Sequence, residues 1–306
     1  MIIGILHFKP GTTVRSRKLA PDIKMLRNAV KELGHIPKVI SEEKCQLFYT
    51  RHRAKVLYNG KPFPKVDVII PRVSLLNNVH LHASIINQFE LQGMPILQNY
   101  KSILWAKNKL RTLQVLTKNH IPVPSTIVVE RFEYLDIAIR KVGGFPIIIK
   151  TPFGSLGKGV AIVESKRALH SAFDLLLTSP DFSSLLIQEY VEEAAGKDLR
   201  VFVIGGKIVA AMERSAQGDE FRSNLAQGGI GKIAKLSAEE SKIALDATKA
   251  MKLDFAGVDI LRSKNGPVIM EVNCNPGIEG ITEVTGVNLA QELVKYAIEL
   301  VNKSAI

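Results

Sequence analysis

Residues 255–273 read FAGVDILRSKNGPVIMEVN, two apolar, β-branched runs interrupted by three oxygen-bearing side chains, Asp259, Glu271 and Asn273. The runs AGVDIL and PVIMEVN flank the turn-forming Ser263-Lys264-Asn265-Gly266, a pattern that predicts a β-hairpin. Glu271 and Asn273 stand two residues apart, so on an extended strand they share a face. With Ile260 and its neighbours paired to Met270 and its neighbours, Asp259 reaches that face from the other strand. Two carboxylates and an amide oxygen on a rigid hairpin are donors that a hard divalent cation such as Mg²⁺ takes, phosphate oxygens and water completing its octahedron. An amphipathic hairpin with a wet polar face fits the same pattern, and these residues alone leave the two readings level.

Upstream, FPIIIK ends at Lys150, followed by a loop over 151–159 that contains GSLGKGV and then by the strand-like VAIV. Gly154, Gly157 and Gly159, with Ser155 among them, would let backbone N–H groups close over a polyphosphate without Cβ interference. The pattern G-x-x-x-x-G-K-[ST] is not matched and both flanks are strand-like, which excludes a P-loop. Alone, such a loop is more often a plain turn. Lys150 raises the functional reading, because a lysine after Ile147-Ile148-Ile149 is costly to bury unless it meets an anion. Its plainer role is a strand-end lysine that reaches back to solvent.

The next strand ends Gln188-Glu189-Tyr190-Val191, and Lys197-Asp198-Leu199-Arg200 follows a short acidic turn. This arrangement suits an adenine slot, with backbone at the base edge and Asp198 accepting from ribose hydroxyls; a solvated acidic turn is the bland alternative. RVFVIGGKIVAAMER predicts a hairpin turning at Gly205-Gly206. With GDEFRSNLAQGG it places Arg214, Arg222 and Asn224 in a polar region, where arginine suits bidentate recognition of carboxylate or phosphate.

The first third alternates strand and helix: MIIGIL, a helix over 19–33 stopped by Gly34, a strand over 66–73 and a helix over about 81–91. That order predicts a small parallel α/β unit, and the lack of G-x-G-x-x-G after the first strand argues against a nicotinamide enzyme. A basic helix over 101–118 carries Lys109 and is broken by Ile121-Pro122-Val123-Pro124, which reads as a domain boundary. Further helices are expected over 132–141, Lys166–Leu177, 238–251 and about 288–301.

At 306 residues with 46% hydrophobic and 23% charged, the chain has the composition of an ordinary globular protein. No apolar run approaches the roughly 20 residues of a membrane span, and the start does not match a secretory signal, so a cytoplasmic enzyme is expected. Cys45 and Cys274, far apart, give no disulfide framework. A net charge of +12 favours acidic partners. The basic residues are scattered without aromatic interleaving, so no direct nucleic-acid binding is expected. His80 and His82 form H-x-H but read as ordinary histidines.

Taken in order, Lys109, Lys150, GSLGKGV, QEYV, KDLR, EFRSN, GVDIL and MEVNCNPGIEG resemble the ATP-grasp superfamily and, within it, the RimK branch, over nearly the whole chain. The resemblance implies an α/β (α+β) ATP-grasp fold with three units: a pre-ATP-grasp α/β domain over 1–100, a central subdomain over 101–186 and a C-terminal subdomain over 187–306. It implies that Lys109 and Lys150 contact ATP phosphates under the loop of Gly154, Ser155, Gly157 and Gly159. Glu189, Tyr190 and Val191 would border adenine and Asp198 the ribose. Asp259, Glu271 and Asn273 would bind two Mg²⁺, or Mn²⁺ in their place. Arg214, Arg222 and Asn224, with Ser223 beside them, would lie near the γ-phosphate and acceptor carboxylate. The implied activity is an ATP-dependent carboxylate–amine ligase working through an acyl phosphate. It would add L-glutamate to the C-terminal glutamate of a protein or peptide, such as the tail of the sixth small-subunit ribosomal protein, and form a homotetramer. Glutamate ligases acting on a small-molecule cofactor or an amino-acid carrier protein, and a nucleotide-binding regulator without turnover, are the alternatives. The chain departs from the namesake at Cys274, read as a spacer, and at Ser215, where a second arginine is expected after Arg214.

Overall fold

The fold was obtained as a computed structural model that describes residues 1–7, 19–72, 79–152, 159–178, 184–217, 223 and 228–304. The chain opens with β1 (Ile2–His7), α1 (Pro21–Glu32), β2 (Ile36–Ser41), β3 (Cys45–Tyr49), β4 (Ala54–Tyr58), β5 (Lys61–Pro62), β6 (Val68–Arg72) and α2 (Val79–Leu91). Strands β2, β1 and β6 pair in parallel in that order, which makes β1–α1–β2 the crossover unit and puts β6 on the far side of β1. Proline at the first turn and Asp22 favour the start of α1, and Gly34 at φ 78° closes its end. Ile23, Leu26, Ala29 and Val30 form its buried stripe.

Sequence patterning finds β1, α1, β6 and α2 but not β2, nor the antiparallel sheet of β3, β4 and β5. Those strands are short and half exposed, so their periodicity is weak.

The basic helix expected over 101–118 is two helices, α3 (Tyr100–Lys107) and α4 (Lys109–Lys118). Asn108 leaves helical geometry and its side chain accepts from the N–H groups of Leu110 and Arg111, capping α4 and setting Lys109 in its first turn. Pro122 then offers its carbonyl to the Ile269 N–H at 2.8 Å, tying the proline segment to the opening hairpin.

The central sheet contains β7 (Thr126–Val129), β8 (Ile147–Lys150), β9 (Val160–Val163) and β10 (Leu185–Glu189), in the order β7-β10-β8-β9, all antiparallel. Helices α5 (Leu135–Lys141) and α6 (Lys166–Leu177) cover one face through a core that includes Ile147, Ile149, Leu185 and Ile187. Strand alternation therefore sends Ile148, Lys150, Leu186 and Gln188 to the opposite face.

The last sheet runs β13-β12-β11-β14-β15, from β11 (Lys197–Ile204), β12 (Lys207–Ser215), β13 (Ile230–Ile233), β14 (Phe255–Ser263) and β15 (Gly266–Asn273). Helix α7 (Ala238–Ala250), started by a Ser237–Glu240 capping box, packs on the face of Leu199, Val201, Val203, Val258 and Val272. Helices α8 (Glu279–Thr285) and α9 (Leu289–Ser304) complete the chain, α9 packing against α1 of the first unit. No helix among the described residues is long and apolar enough to cross a membrane.

Candidate active site

The predicted hairpin is present, and its register decides the site. Asp259 pairs directly with Glu271 and Gly257 with Asn273, while a bulge after Asp259 pairs Ile260 with Ile269 and leaves Met270 as the extra residue. Asp259 is 2% exposed, so this is not a wet polar face. Gly257 has a packing reason as well: a Cβ there would stand 2.7 Å from the Pro276 side chain and 3.2 Å from that of Arg200.

Cross-strand pairing builds an ion set around Asp259. Arg200 of β11 lies opposite Asp259, and Arg214 of β12 lies opposite Asp198. Arg200 donates to both Asp259 oxygens, Nη2 to Oδ2 at 2.8 Å. Arg214 donates to Asp198 at 2.7 and 2.6 Å and also reaches Asp259 Oδ1 at 3.1 Å. Ser223 Oγ donates to Asp198 Oδ2 at 2.8 Å, and Asn273 Nδ2 lies 3.4 Å from Asp259 Oδ2. Two acids and two arginines thus neutralise one another on one buried face. Burial and the neighbouring Asp259 charge push Asp198 up, whereas Asp259, despite burial, is held low by Arg200 and Arg214. Asp198 belongs to β11, not to a solvated turn, and both its oxygens are engaged.

The opposing wall is cationic. Lys150 Nζ donates to Gln188 Oε1 at 2.7 Å, and Gln188 Nε2 donates to Thr126 Oγ1 at 2.8 Å, so a neutral amide holds the ammonium in place. Burial lowers Lys150 to about 8, with Glu271 pulling it back up and Lys109 adding to the drop. Lys109 is also lowered, first by burial, against the opposing charge of Glu271. Between the walls lies a cleft of about 400 Å³, counting the solvent at its mouth, lined by Lys109, Lys150, Gln188, Met270 and Glu271 among others. A set that the sequence scatters from Lys109 to Glu271 is brought together here.

At the base of the glycine-rich loop, Thr151 N–H donates to the Gly159 carbonyl at 3.0 Å. Gly159 has φ 73°, and a Cβ on it would meet Thr151 Oγ1 at 2.5 Å, so this position requires glycine. Gly154, Ser155, Gly157, Arg222 and Asn224 lie outside the described residues. Glu189 ends β10 with its N–H on the Ser125 carbonyl at 2.9 Å; Tyr190 is half-buried, and Val191 is buried and accepts from Ala194 N–H.

Three participants were not singled out from sequence. Arg200 closes KDLR, but its acid partner is 59 residues away. Gln188 and Met270 look like ordinary strand residues; only the pairing of β10 with β8 for the first, and the bulge for the second, turn them into the cleft.

Neither cysteine is suited to be a nucleophile, since burial pushes Cys274 up and Cys45 to about 12. His80 is exposed, and His82 sits 3.0 Å from Glu42 with its pKa lowered by burial. Among the described residues no three His, Cys, Asp or Glu side chains cluster to hold a metal; the hairpin offers two acids and an amide.

Known proteins fit this arrangement. Residues 106–297 match the RimK-like ATP-grasp domain and residues 13–103 the RimK PreATP-grasp domain. A probable alpha-L-glutamate ligase 2 of Pseudoalteromonas atlantica is 38% identical over 276 residues, 90% of this chain and 91% of that protein. A probable alpha-L-glutamate ligase of Methanococcoides burtonii is 38% identical over 282 residues, 92% of each chain. Among solved structures, the ATP-grasp ligase PsnB complexed with a minimal precursor superposes with a TM-score of 0.73 at 17% identity, covering 97% of this chain and 98% of that one. The D-alanine–D-alanine ligase of Bacillus anthracis complexed with ATP superposes at 0.68 with 20% identity, covering 99% and 98%. With a family model spanning most of the chain and both sheets arranged around one cleft, the protein belongs to the RimK family of ATP-grasp ligases.

Proposed function

We propose that this ligase joins the amine of L-glutamate to the C-terminal carboxylate of a protein or peptide ending in glutamate. The observation that carries the reading is the buried Lys150, seated on a neutral amide and facing Glu271 across the cleft. Relatives 38% identical are named probable alpha-L-glutamate ligases, and the fold neighbour PsnB has been captured with the precursor peptide PsnA2. The net charge of +12 suits an acidic tail, and the tail of the sixth small-subunit ribosomal protein is the acceptor we put forward. A homotetramer in the cytoplasm, and units over 1–100, 101–186 and 187–306, are part of the same proposal.

A carboxylate is a poor acyl donor, so in this reading the acceptor attacks the γ-phosphorus of ATP, ADP departs, and glutamate's amine displaces phosphate from the acyl phosphate. Lys109 and Lys150 hold the phosphates, beneath Gly154, Ser155, Gly157 and Gly159, while Glu189, Tyr190 and Val191 border the base. Arg222 and Asn224 act at the γ-phosphate. Arg214, with donors on Asp198 and Asp259, holds those two acids in position. Asp198 in turn borders the ribose through the edge it shares with Ser223.

Asp259, Glu271 and Asn273 carry oxygens of the kind hard divalent cations take: Asp259 and Glu271 are ladder partners and Asn273 follows two residues on, while the Asp259 oxygens here accept from Arg200, Arg214 and the Asn273 Nδ2 that a cation would displace in part. Two Mg²⁺, or Mn²⁺, when bound there would neutralise charge developing on the transferred phosphoryl group. Intact-mass analysis of candidate acceptors, incubated with the protein, ATP, Mg²⁺ and L-glutamate, tests the reading. Glutamyl-sized increments on the ribosomal protein support it; increments only on a small molecule reject it.

A further inference from the structure

The β14–β15 ladder ends at the pair Gly257–Asn273; β15 stops there, while β14 runs back to Phe255. The ladder itself therefore does not hold Cys274 or the residues after it. Three side chains of the first unit do. Gln98 Nε2 donates to the Cys274 carbonyl at 2.8 Å, Arg72 Nη2 donates to the Pro276 carbonyl at 2.8 Å, and Asp22 Oδ2 accepts from the Ile278 N–H at 3.4 Å. Every second residue of the segment that leaves Asn273 is thus bonded to the first unit.

Gln98 differs from the other two because its amide spans both strands. Nε2 also donates to the Phe255 carbonyl at 2.6 Å, and Oε1 accepts from the Asp254 N–H at 3.0 Å. A primary amide has two N–H groups and one oxygen, and all are engaged here. Turned over, the amide would set its oxygen against two carbonyls, so one orientation is specified. The backbone beneath it is specified too. Ile96 bridges Ile69 of β6 in parallel and the Leu97 N–H donates to the Ile69 carbonyl at 3.0 Å, so Gln98 comes directly off the first sheet. Gln98 is 1% exposed and has φ 66°, a region that residues other than glycine rarely adopt. Its N–H donates to Asp254 Oδ2 at 2.7 Å. Such backbone persists where its surroundings over-determine it, and it clusters at functional sites.

From this geometry we infer that Gln98 is a positioning residue of the ligase: by tying Cys274 to Phe255 it sets Asn273, and with it the oxygens that a divalent cation takes. Its amide is fully committed to the two strands, so it acts through Asn273 rather than on a ligand. Mg²⁺ demands near-ideal octahedral placement of its oxygens, so a small shift at the end of β15 lowers affinity. Groups that orient metal ligands govern affinity by about 10–100-fold. The inference rests on the cation reading of the hairpin given above and extends that site to the first unit.

Binding of Mn²⁺ to the full chain with ADP, read from the electron-spin resonance of the free ion, tests it. Gln98→Met keeps the bulk of the side chain and removes its three bonds. Mn²⁺ should bind at least about tenfold more weakly, while ADP affinity without metal stays within about twofold. Added to Asn273→Ala, the same change should weaken Mn²⁺ by less than about twofold more, because both act at one position. Asn99→Ala is the control for a loosened seam: it removes the bond to the Lys252 carbonyl and the cap of α3, and should leave Mn²⁺ within about twofold. With Asn273→Ala weakening the ion, the inference is overturned by unchanged affinity in Gln98→Met, by additive losses in the double variant, or by an equal loss in Asn99→Ala. Unchanged affinity in Asn273→Ala overturns the cation reading, and the inference with it. Should Gln98→Met not fold, Gln98→Asn, which keeps the amide but shortens its reach, decides by the same comparisons.

Discussion

Asp198, Arg200, Arg214 and Asp259 close their charges on one another on the C-terminal sheet, whereas Lys150, buried to a similar degree across the cleft, rests on the neutral amide of Gln188. Both arrangements desolvate ions. In the first, each acid meets a base through short, directed bonds, so the set is neutral and frames the site even before Asp259 meets a cation. In the second, the ammonium bonds to an amide rather than to an acid, and burial lowers its pKa although Glu271 and Asp259 act on it from a distance. The contrast separates ions that hold the fold from an ion held ready for an anionic ligand.

The largest effect should come from opening the closed set. Asp198→Ala strips Arg214 of two of its bonds and Ser223 of its acceptor, leaving two arginines against the single acid Asp259 in a buried set. Urea unfolding should show a loss of about 3–5 kcal/mol. A loss below about 1 kcal/mol would mean the set is not the frame described.

Glu271 lies beside that set but is not bonded into it, so Glu271→Gln should leave unfolding within about 1 kcal/mol of the unsubstituted chain. ADP release with acceptor and glutamate should fall about 10²–10³-fold. Retained turnover would remove the hairpin from the chemistry. On the other wall, Lys150→Met should weaken ATP binding about 10²-fold while stability holds or rises, since a buried ammonium is replaced by an apolar chain. A stability loss as large as that of Asp198→Ala would erase the difference between the two walls.

What sequence patterning could see follows from the same distinction. The hairpin over 255–273 is legible because turn chemistry and alternation are local, and Lys150 stands out because three isoleucines precede it. The unit of β1, α1 and β6 and the helix Lys166–Leu177 are legible for the same reason. Arg200 is not, because its meaning depends on the β11–β14 register rather than on its neighbours. Nor is Gln188, which matters only once β10 is laid against β8. The split at Asn108 is a cap signal hidden between two lysines that continue the helical pattern. Arg72 reads as the end of an apolar strand, and its bonds to Asp22 and to the Pro276 carbonyl join segments that are distant in sequence.

The smallest effect, and the finest test of the contrast, is in pH. With Lys150 lowered to about 8, the ammonium that holds phosphate is fully present below that pH and is lost as pH rises through it. ATP affinity should therefore be flat to about pH 7, halve near 8 and fall about tenfold per unit above. Bound phosphate favours the charged lysine, so ATP binding between pH 8 and 9 should take up a proton, read as a dependence of calorimetric enthalpy on buffer ionisation. Glu271 is the largest influence pulling Lys150 back up, so in Glu271→Gln the inflection should move below 8. An inflection that stays near 8 would mean the two walls do not act on each other across the cleft.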